Sequence, residues 1–257
     1  FNGVADSHLM KNSEWGAVVY LSKSKYGLNT EDITVNNISL NSGGNVRNSK
    51  EGKIGVESVY AVTGCTSSVI DTTKNTTIET INSTIGNTTK DGVYTWNQKT
   101  GTTASTTGTI YGIYDMSGGV WERTNGYVAN RNKSLENGKS VTYIGDNLRT
   151  MSTKYTTIYL YNSETDKPVL TDVSTASNNN YVSNTFIYGD AIRETSTSGI
   201  GYTSWYEDRS NFPALSNPFF IRSGSWYNGT SAGLFYFNCH SGGTPHNLGF
   251  RVAVINS

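Results

Sequence analysis

Short apolar runs separated by Gly, Asn and Ser fill most of the sequence, and this pattern favours short strands joined by loops. Residues 55–62, 156–161 and 250–255 are examples, each rich in β-branched or aromatic side chains. Long helical patterns are rare. The sequence therefore predicts a helix-poor α+β fold with short strands and long loop insertions.

One stretch near the start carries a strong helical pattern. Asn12 or Ser13 can cap its beginning and Gly27 can end it. One face of this helix would be formed by Trp15, Val18, Val19 and Ser22.

The 257 residues fit one large domain, and we expect a single domain over residues 1–257. The Thr- and Asn-rich range 72–109 and the range 130–180 are expected to be loop or hairpin insertions. The sequence begins at Phe1 without an initiator Met, which suggests a C-terminal fragment of a longer chain.

The charge balance restricts the possible partners. Twenty basic and twenty acidic residues give no net charge, and 16 % of residues are charged, against roughly 25 % in average domains. A nucleic-acid partner, which would need a basic excess, is not expected. No apolar run reaches the ~18 residues of a membrane span, so membrane insertion is not expected either. Cys65 and Cys239 could form one disulfide, although a chain of this size does not require one.

Three separated segments resemble one family. Residues 8–15 read HLMKNSEW, residues 112–123 read GIYDMSGGVWER, and IRSGSW at 221–226 is followed by LGFRVA at 248–253. The segments resemble motifs of the formylglycine-generating-enzyme or sulfatase-modifying-factor type of the C-type lectin-like fold. The resemblance implies this fold over most of the chain.

The residues within these segments are interpreted as scaffold. Large apolar groups would fill one core, glycines would permit tight turns, and the charged residues would form buried ion pairs. The expected scaffold residues are Trp15, Trp121, Glu122, Arg222, Gly224, Trp226, Phe235, Phe237, Gly249, Phe250 and Arg251.

Enzymes of the resembled group use a reactive cysteine pair after the Ser-Trp motif. After Trp226 this sequence has only Cys239, and the adjacent His240 does not by itself define a catalytic pair. Cys239, His240 and His246 also lack zinc spacing and a fourth ligand. We therefore predict no catalytic residue, no metal and no cofactor. An enzyme of the same fold remains the alternative.

Residues 226–251 form the candidate variable region. Period-two alternation predicts that Phe235 and Phe237 point inward while Tyr236 and Asn238 point outward. The interleaved side chains resemble a varied, antibody-like contact set. The predicted ligand-binding residues are Tyr227, Asn228, Ser231, Tyr236, Asn238, Cys239, His240, Ser241, Thr244, Pro245 and His246.

These residue types are all encoded by codons that arise from an Asn codon when its adenines are replaced. In this respect the region resembles the variable region of proteins diversified by retroelements, in which a reverse transcriptase substitutes template adenines. Asn228, Asn238 and Asn247 would then be unsubstituted or fixed positions, which one sequence does not decide. The alternative is a polar loop of a lectin-like protein that is not diversified.

The resemblance implies recognition of a cell-surface protein or glycan, with the chain on a phage tail or a bacterial surface. A small binding surface gains avidity from repeated copies, so a trimer or assembly on a particle is expected. The alternatives are the enzyme named above and a structural decoration domain of a virion. Residues 202–206 could add aromatic contacts, with Trp205 equally suited to the core.

Overall fold

The computed structural model describes residues 5–29, 33, 83–85, 88–90, 102, 105–118, 120–129, 151–160, 173–214, 217–225, 228, 231–245 and 248–256. Two α-helices lie in these residues, α1 (Asn12–Ser22) and α2 (Val173–Ser183). A short 3-10 helix covers Trp205–Glu207. The predicted strand at 55–62 and residue Cys65 lie outside the described residues.

The strands are short, as the sequence predicts. They are β1 (Ala5–Leu9), β2 (Ser83–Ile85), β3 (Thr88–Lys90), β4 (Trp121–Ala129), β5 (Thr157–Leu160), β6 (Ile200–Gly201), β7 (Ser210–Asn211), β8 (Phe219–Arg222), β9 (Phe237–His240), β10 (Leu248–Phe250) and β11 (Val252–Asn256). The described part of the chain is therefore helix-poor, and it is compatible with an α+β fold.

Seven strands form one mixed sheet in the order β10-β4-β8-β9-β7-β6, and β5 also pairs with β4. Strand β4 is central because β10 pairs with its first half and β5 with its second half, both in parallel. Strands β8 and β9 continue the sheet as antiparallel neighbours. The candidate variable region thus enters the sheet twice, through β9 and β10.

The first and last strands form a separate two-stranded ribbon. Strand β1 pairs with β11 in antiparallel fashion, from Ala5 opposite Asn256 to Leu9 opposite Val252. The backbone N–H of Met10 donates to the carbonyl of Arg251 at 2.9 Å and extends this pairing. Between β2 and β3 a second ribbon forms within the range 72–109.

Helix α1 begins one residue after Lys11, so Asn12 lies inside the helix rather than at its cap. The backbone N–H of Lys11 donates to Oε2 of Glu14 at 2.8 Å, so this N–H has a hydrogen-bond partner at the start of the helix. Trp15 and Val19 are fully buried on the predicted apolar face. A Cβ at Gly16 would lie 2.2 Å from the carbonyl oxygen of Gly189, so this glycine allows α1 to pack directly on that loop.

The range 130–180, predicted to be an insertion, contributes β5 to the central sheet and most of helix α2. The side chain of Asn184 forms two 2.8 Å hydrogen bonds with the backbone N–H and carbonyl of Leu160. Asn180 donates to the carbonyl of Pro213 at 2.8 Å. These amides satisfy backbone groups of neighbouring segments, so a polar stretch becomes part of the folded structure.

No helix in the described residues is long and apolar enough to cross a membrane.

Candidate functional site

One carboxylate holds a turn inside the candidate variable region, just before β9. Asp208 is fully buried, and its two oxygens accept the backbone N–H groups of Gly233 and Phe235, each at 2.9 Å. A Cβ at Gly233 would lie 2.2 Å from Oδ2 of Asp208, so only glycine fits this approach. Asp208 fixes the backbone ahead of β9, a role that the sequence did not predict.

Tyr206 and Glu207, which precede Asp208, adopt left-handed backbone angles with φ of 60° and 62°. Such angles are costly for residues with side chains and persist where surrounding contacts fix them. Trp205 is about half exposed at this bend, and its ring lies 5.4 Å from that of Phe235.

The prediction that Tyr236 points outward is wrong. Tyr236 is fully buried, as are Leu234, Phe235 and Phe237. Alternation fails because residues 233–236 form a turn, closed by the Tyr236 N–H to Gly233 carbonyl bond of 3.1 Å, and β9 begins only at Phe237. Strand periodicity does not apply to a turn that passes through the interior.

The two phenylalanines contribute to different clusters of the core. Phe235 packs with Trp15, Val19 and Met116 beneath α1. Phe237 belongs to the cluster that contains Tyr159, Tyr181, Ile192, Phe212 and Phe220. The chain at 234–237 therefore joins two apolar clusters, which explains why four successive side chains are buried.

Two further predicted ligand-binding residues have structural contacts. Ser231 is buried, and its hydroxyl donates to the carbonyl of Asn228 at 2.8 Å. Oδ1 of Asn228 accepts hydrogen bonds from Nε1 of Trp121 at 2.9 Å and from the Ser225 N–H at 2.7 Å. Ser231 is thus corrected to the interior, and Asn228 acts as a brace between two segments. Trp226, Tyr227 and His246 lie outside the described residues.

The remaining predicted residues emerge together after β9 begins. Half-buried side chains line the chain from Asn238 to Ser241, Thr244 is exposed, and Pro245 is half-buried. We call residues 240–245 the recognition loop, a name that refers only to the function that we propose for them. Asn238 lies at its base, where it donates to the Tyr236 hydroxyl and accepts from Asn211, both at 2.8 Å.

Cys239 is a free thiol in β9. Burial raises its pKa to about 11, although Arg209 has a weaker opposing influence. A cysteine nucleophile needs a depressed pKa, so this environment does not favour a thiolate. In the described residues no group of three His, Cys, Asp or Glu side chains is placed to hold a metal ion.

The recognition loop is linked to β4 through Arg123. Nη2 of Arg123 donates to the Gly243 carbonyl at 2.8 Å and lies 3.4 Å from Nδ1 of His240. The Gly242 N–H also donates to this ring nitrogen at 3.0 Å. Burial and the charge of Arg123 lower the pKa of His240, which favours the neutral ring that accepts these bonds.

The scaffold charges pair across the sheet. Nη2 of Arg251 donates to Oε1 of Glu122 at 2.6 Å, and Nε of Arg251 contacts the second oxygen. Burial raises the pKa of Glu122 to about 7, against the opposing influence of Arg251. Arg222 is fully buried, with its guanidinium 5.6 Å from the ring of Trp15.

Gly224 is required by its surroundings. A Cβ at this position, where φ is 68°, would lie 2.5 Å from Ala232.

The expected core position of Phe250 is wrong, because 67 % of this residue is exposed. Phe250 instead borders an open cleft of about 480 Å³ beside the recognition loop. We call this space the apolar cleft. It is lined by Leu9, Arg123, Thr244, Pro245, Leu248, Gly249, Phe250 and Val252.

A buried polar network lies on the other side of β4. The Tyr159 hydroxyl donates to Oδ2 of Asp190 at 2.5 Å and accepts from Nδ2 of Asn12 at 3.0 Å. Thr124 in turn donates to Oδ1 of Asn12 at 2.7 Å. Burial raises the pKa of Asp190 to about 6, although Tyr159 and Arg222 oppose this shift. The network ties α1, β4 and β5 together.

Comparison of the chain with protein-family models, curated proteins and solved structures finds no match in any of the three.

Proposed function

We propose that the chain is a non-catalytic, ligand-binding protein of C-type lectin-like fold. Its recognition loop binds a protein or glycan on a cell surface, and its setting is a phage tail or a bacterial surface. The observation that carries this proposal is a varied set of partly exposed side chains on a fixed base: Asp208 holds the turn at 233–235, and residues 240–245 follow it. A rigid base with a changeable surface is the arrangement that recognition loops use.

Contacts among the three motif-bearing segments support the proposed fold. The Gly118 N–H donates to the Ser223 carbonyl at 2.9 Å, and the Met10 N–H donates to the Arg251 carbonyl at 2.9 Å. The Glu122–Arg251 pair connects the second segment to the third. Segments that are far apart in sequence therefore meet around β4, as a common scaffold requires.

The described part of the candidate variable region supports a narrower surface than residues 226–251. Tyr236 and Ser231 are interior, so the proposed contact residues are His240, Ser241, Thr244 and Pro245, with Cys239 beside them. Substitution at these positions would leave the Asp208 anchor intact. The proposed diversification then has a physical basis, because changes in the loop need not disturb the core.

The direct test uses surface binding by the purified chain. Fluorescently labelled protein is screened against a glycan array and a panel of bacterial cells, and binders are retested with His240→Ala and Thr244→Ala. Tyr26→Ala, an exposed aromatic after α1, is the control. We expect both loop variants to lose binding and the control to retain it. Equal binding by all four proteins would refute a role for the recognition loop.

Diversification has its own test in the neighbouring DNA. We expect a near-copy of the sequence encoding residues 226–251, differing from it at adenines, with a reverse transcriptase gene nearby. If that near-copy is missing, the diversified interpretation fails, while the binding interpretation is still tested by the loop variants.

A further inference from the structure

We propose that the ligand recognised beside the recognition loop is an acidic sugar unit, whose carboxylate binds Arg123. This inference rests on the proposed function, since it names the ligand class of the same surface. It depends on a second cleft that adjoins the apolar cleft and shares Leu9 and Arg123 with it.

This second cleft has a volume of about 570 Å³, within the ~300–1,000 Å³ of small-ligand pockets. We call it the polar cleft. Its lining combines aromatic, aliphatic and hydrogen-bonding groups from β1, β4, β8 and the chain before β5, including His8, Arg123, Asn125, Met151, Tyr155 and Phe219.

The charge of Arg123 has no acidic partner among the described residues. Its hydrogen bonds go to the Gly243 carbonyl and the His240 ring, both uncharged acceptors. Within the described residues, Nε is buried and has no hydrogen-bond partner, whereas Nη1 makes no hydrogen bond and is accessible. Burial lowers the pKa of Arg123, a sign that its charge is incompletely solvated. A carboxylate that accepted a hydrogen bond from Nη1 would compensate this charge.

The acidic residue that lines the polar cleft, Asp6, already has a charged partner. Oδ2 of Asp6 accepts hydrogen bonds from Nζ of Lys154 at 2.5 Å and from the Tyr155 hydroxyl at 3.0 Å. Asp6 therefore has its own counter-ion, and Arg123 retains its positive charge for a ligand.

His8 provides the second observation that points to a ligand. Only 5 % of its side chain is exposed, and its Nε2 is 2.7 Å from Oε1 of Glu14. Nε2 therefore has the Glu14 carboxylate as its partner, and Nδ1 is the ring nitrogen left for another group. This Nδ1 is buried, and it has no hydrogen-bond partner in the described residues. A hydroxyl group can donate or accept, so one that reached Nδ1 after a small movement of the cleft wall would remove the cost of this unsatisfied atom.

These groups together favour a sugar acid over a simple anion. A carboxylate suits Arg123, a hydroxyl donor suits His8, and the faces of sugar rings pack against aromatic and aliphatic walls such as Tyr155 and Leu9. An acidic peptide would supply the carboxylate but no sugar ring to pack against Tyr155 and Leu9. The recognition loop would tune specificity because Gly243 and His240 hold Nη2 of Arg123.

The experiment compares two sugars that differ in one group. Binding of methyl glucuronide and methyl glucoside to the whole chain is measured by ligand-observed NMR titration. The ring resonances of His8 are followed in a separate protein-observed titration. We expect the glucuronide to bind and to shift His8, and the glucoside to bind at least about tenfold more weakly, as the loss of a charge-assisted pair implies.

Two arginine variants and one control complete the test. Arg123→Gln should weaken glucuronide binding about tenfold or more, and Arg123→Lys should weaken it less because it keeps the charge but loses the guanidinium donors. Lys25→Gln removes one positive charge from an exposed site and should bind as the unchanged chain does. Near-UV circular dichroism checks that each variant is folded.

Equal binding of the two sugars, binding of neither, or unchanged binding by folded Arg123→Gln would each overturn the acidic-sugar inference. If cell-surface binding still depends on His240 and Thr244 in any of those cases, the proposed function stands and this inference alone fails. If the glucuronide binds through Arg123 but the loop variants bind cells normally, the loop's role fails instead.

Discussion

Asp208→Asn tests whether a single buried carboxylate fixes the base of the recognition loop. The wild-type carboxylate accepts two backbone N–H groups at 2.9 Å each and is fully buried. Asparagine keeps one acceptor oxygen but places an NH₂ group opposite the other N–H. Bonds to charged groups contribute ~1.5–3 kcal/mol each, and an unsatisfied buried donor costs a similar amount. We therefore expect the free energy of unfolding to fall by about 2–4 kcal/mol.

The assay is urea denaturation followed by tryptophan fluorescence, with melting as a second measurement. At ~2–4 °C for each kcal/mol, the melting temperature should fall by roughly 5–15 °C. The control is Asp6→Asn, which breaks an exposed ion pair with Lys154 and should change stability much less. Gly233→Ala should destabilise the same contact, so its effect should not add fully to that of Asp208→Asn. If Asp208→Asn unfolds with wild-type stability, the turn is held by something else.

Three further predictions concern the core and its charges. Tyr159→Phe should lower the free energy of unfolding by about 1–3 kcal/mol in urea, because Oδ2 of Asp190 and Nδ2 of Asn12 each lose the Tyr159 hydroxyl as a partner; an unchanged midpoint would contradict the network. Since native Asp190 has a pKa of about 6 and an unfolded aspartate one of about 3.9, the native state binds more protons between these values. Its contribution to stability should therefore fall as the pH rises from about 4 to about 6, and Asp190→Asn should reduce the slope in urea titrations at several pH values, while Glu122, whose pKa is raised to about 7, keeps its own share. Phe250→Ser should change the free energy of unfolding by less than about 0.5 kcal/mol, whereas Trp15→Ala should lower it by about 3–5 kcal/mol. A large loss of stability in Phe250→Ser would show that Phe250 belongs to the core.

Helix α1 and the shortness of the strands could be predicted because their signals are local. Trp15 and Val19 recur at helical spacing, and both are buried as expected. The run at 250–255 does form strand, although it is split at Arg251 between two different pairings. A pattern along the chain shows where a strand can form, but its partner depends on residues far away in sequence.

The errors arose where tertiary contacts decide the outcome. Tyr236 is interior because 233–236 is a turn rather than a strand, and the Asp208 contacts that shape this turn come from 25 and 27 residues away. Helix α2 was missed because its residues are polar and have low helix propensity. Its amides, such as Asn184, are used to satisfy neighbouring backbone, and no periodic pattern predicts that use.

The candidate site was predicted in part. The sequence indicated the region that contains His240, Ser241 and Thr244, and these side chains do lie at or near the surface. It did not indicate that Arg123, at the end of the 112–123 motif, would contact this loop through Gly243. Nor did it place Phe250 at a cleft, because a large apolar residue in a motif is more often part of a core.

The antiparallel β1–β11 ribbon has a mechanical consequence. Its outermost pair is Ala5 with Asn256, so the first residue of β1 and the last residue of β11 lie side by side. Tension applied to these two residues would peel the backbone bonds apart one after another, instead of loading all five pairs at once. The ribbon would open at low force, and the seven-stranded sheet would bear load only after it had parted.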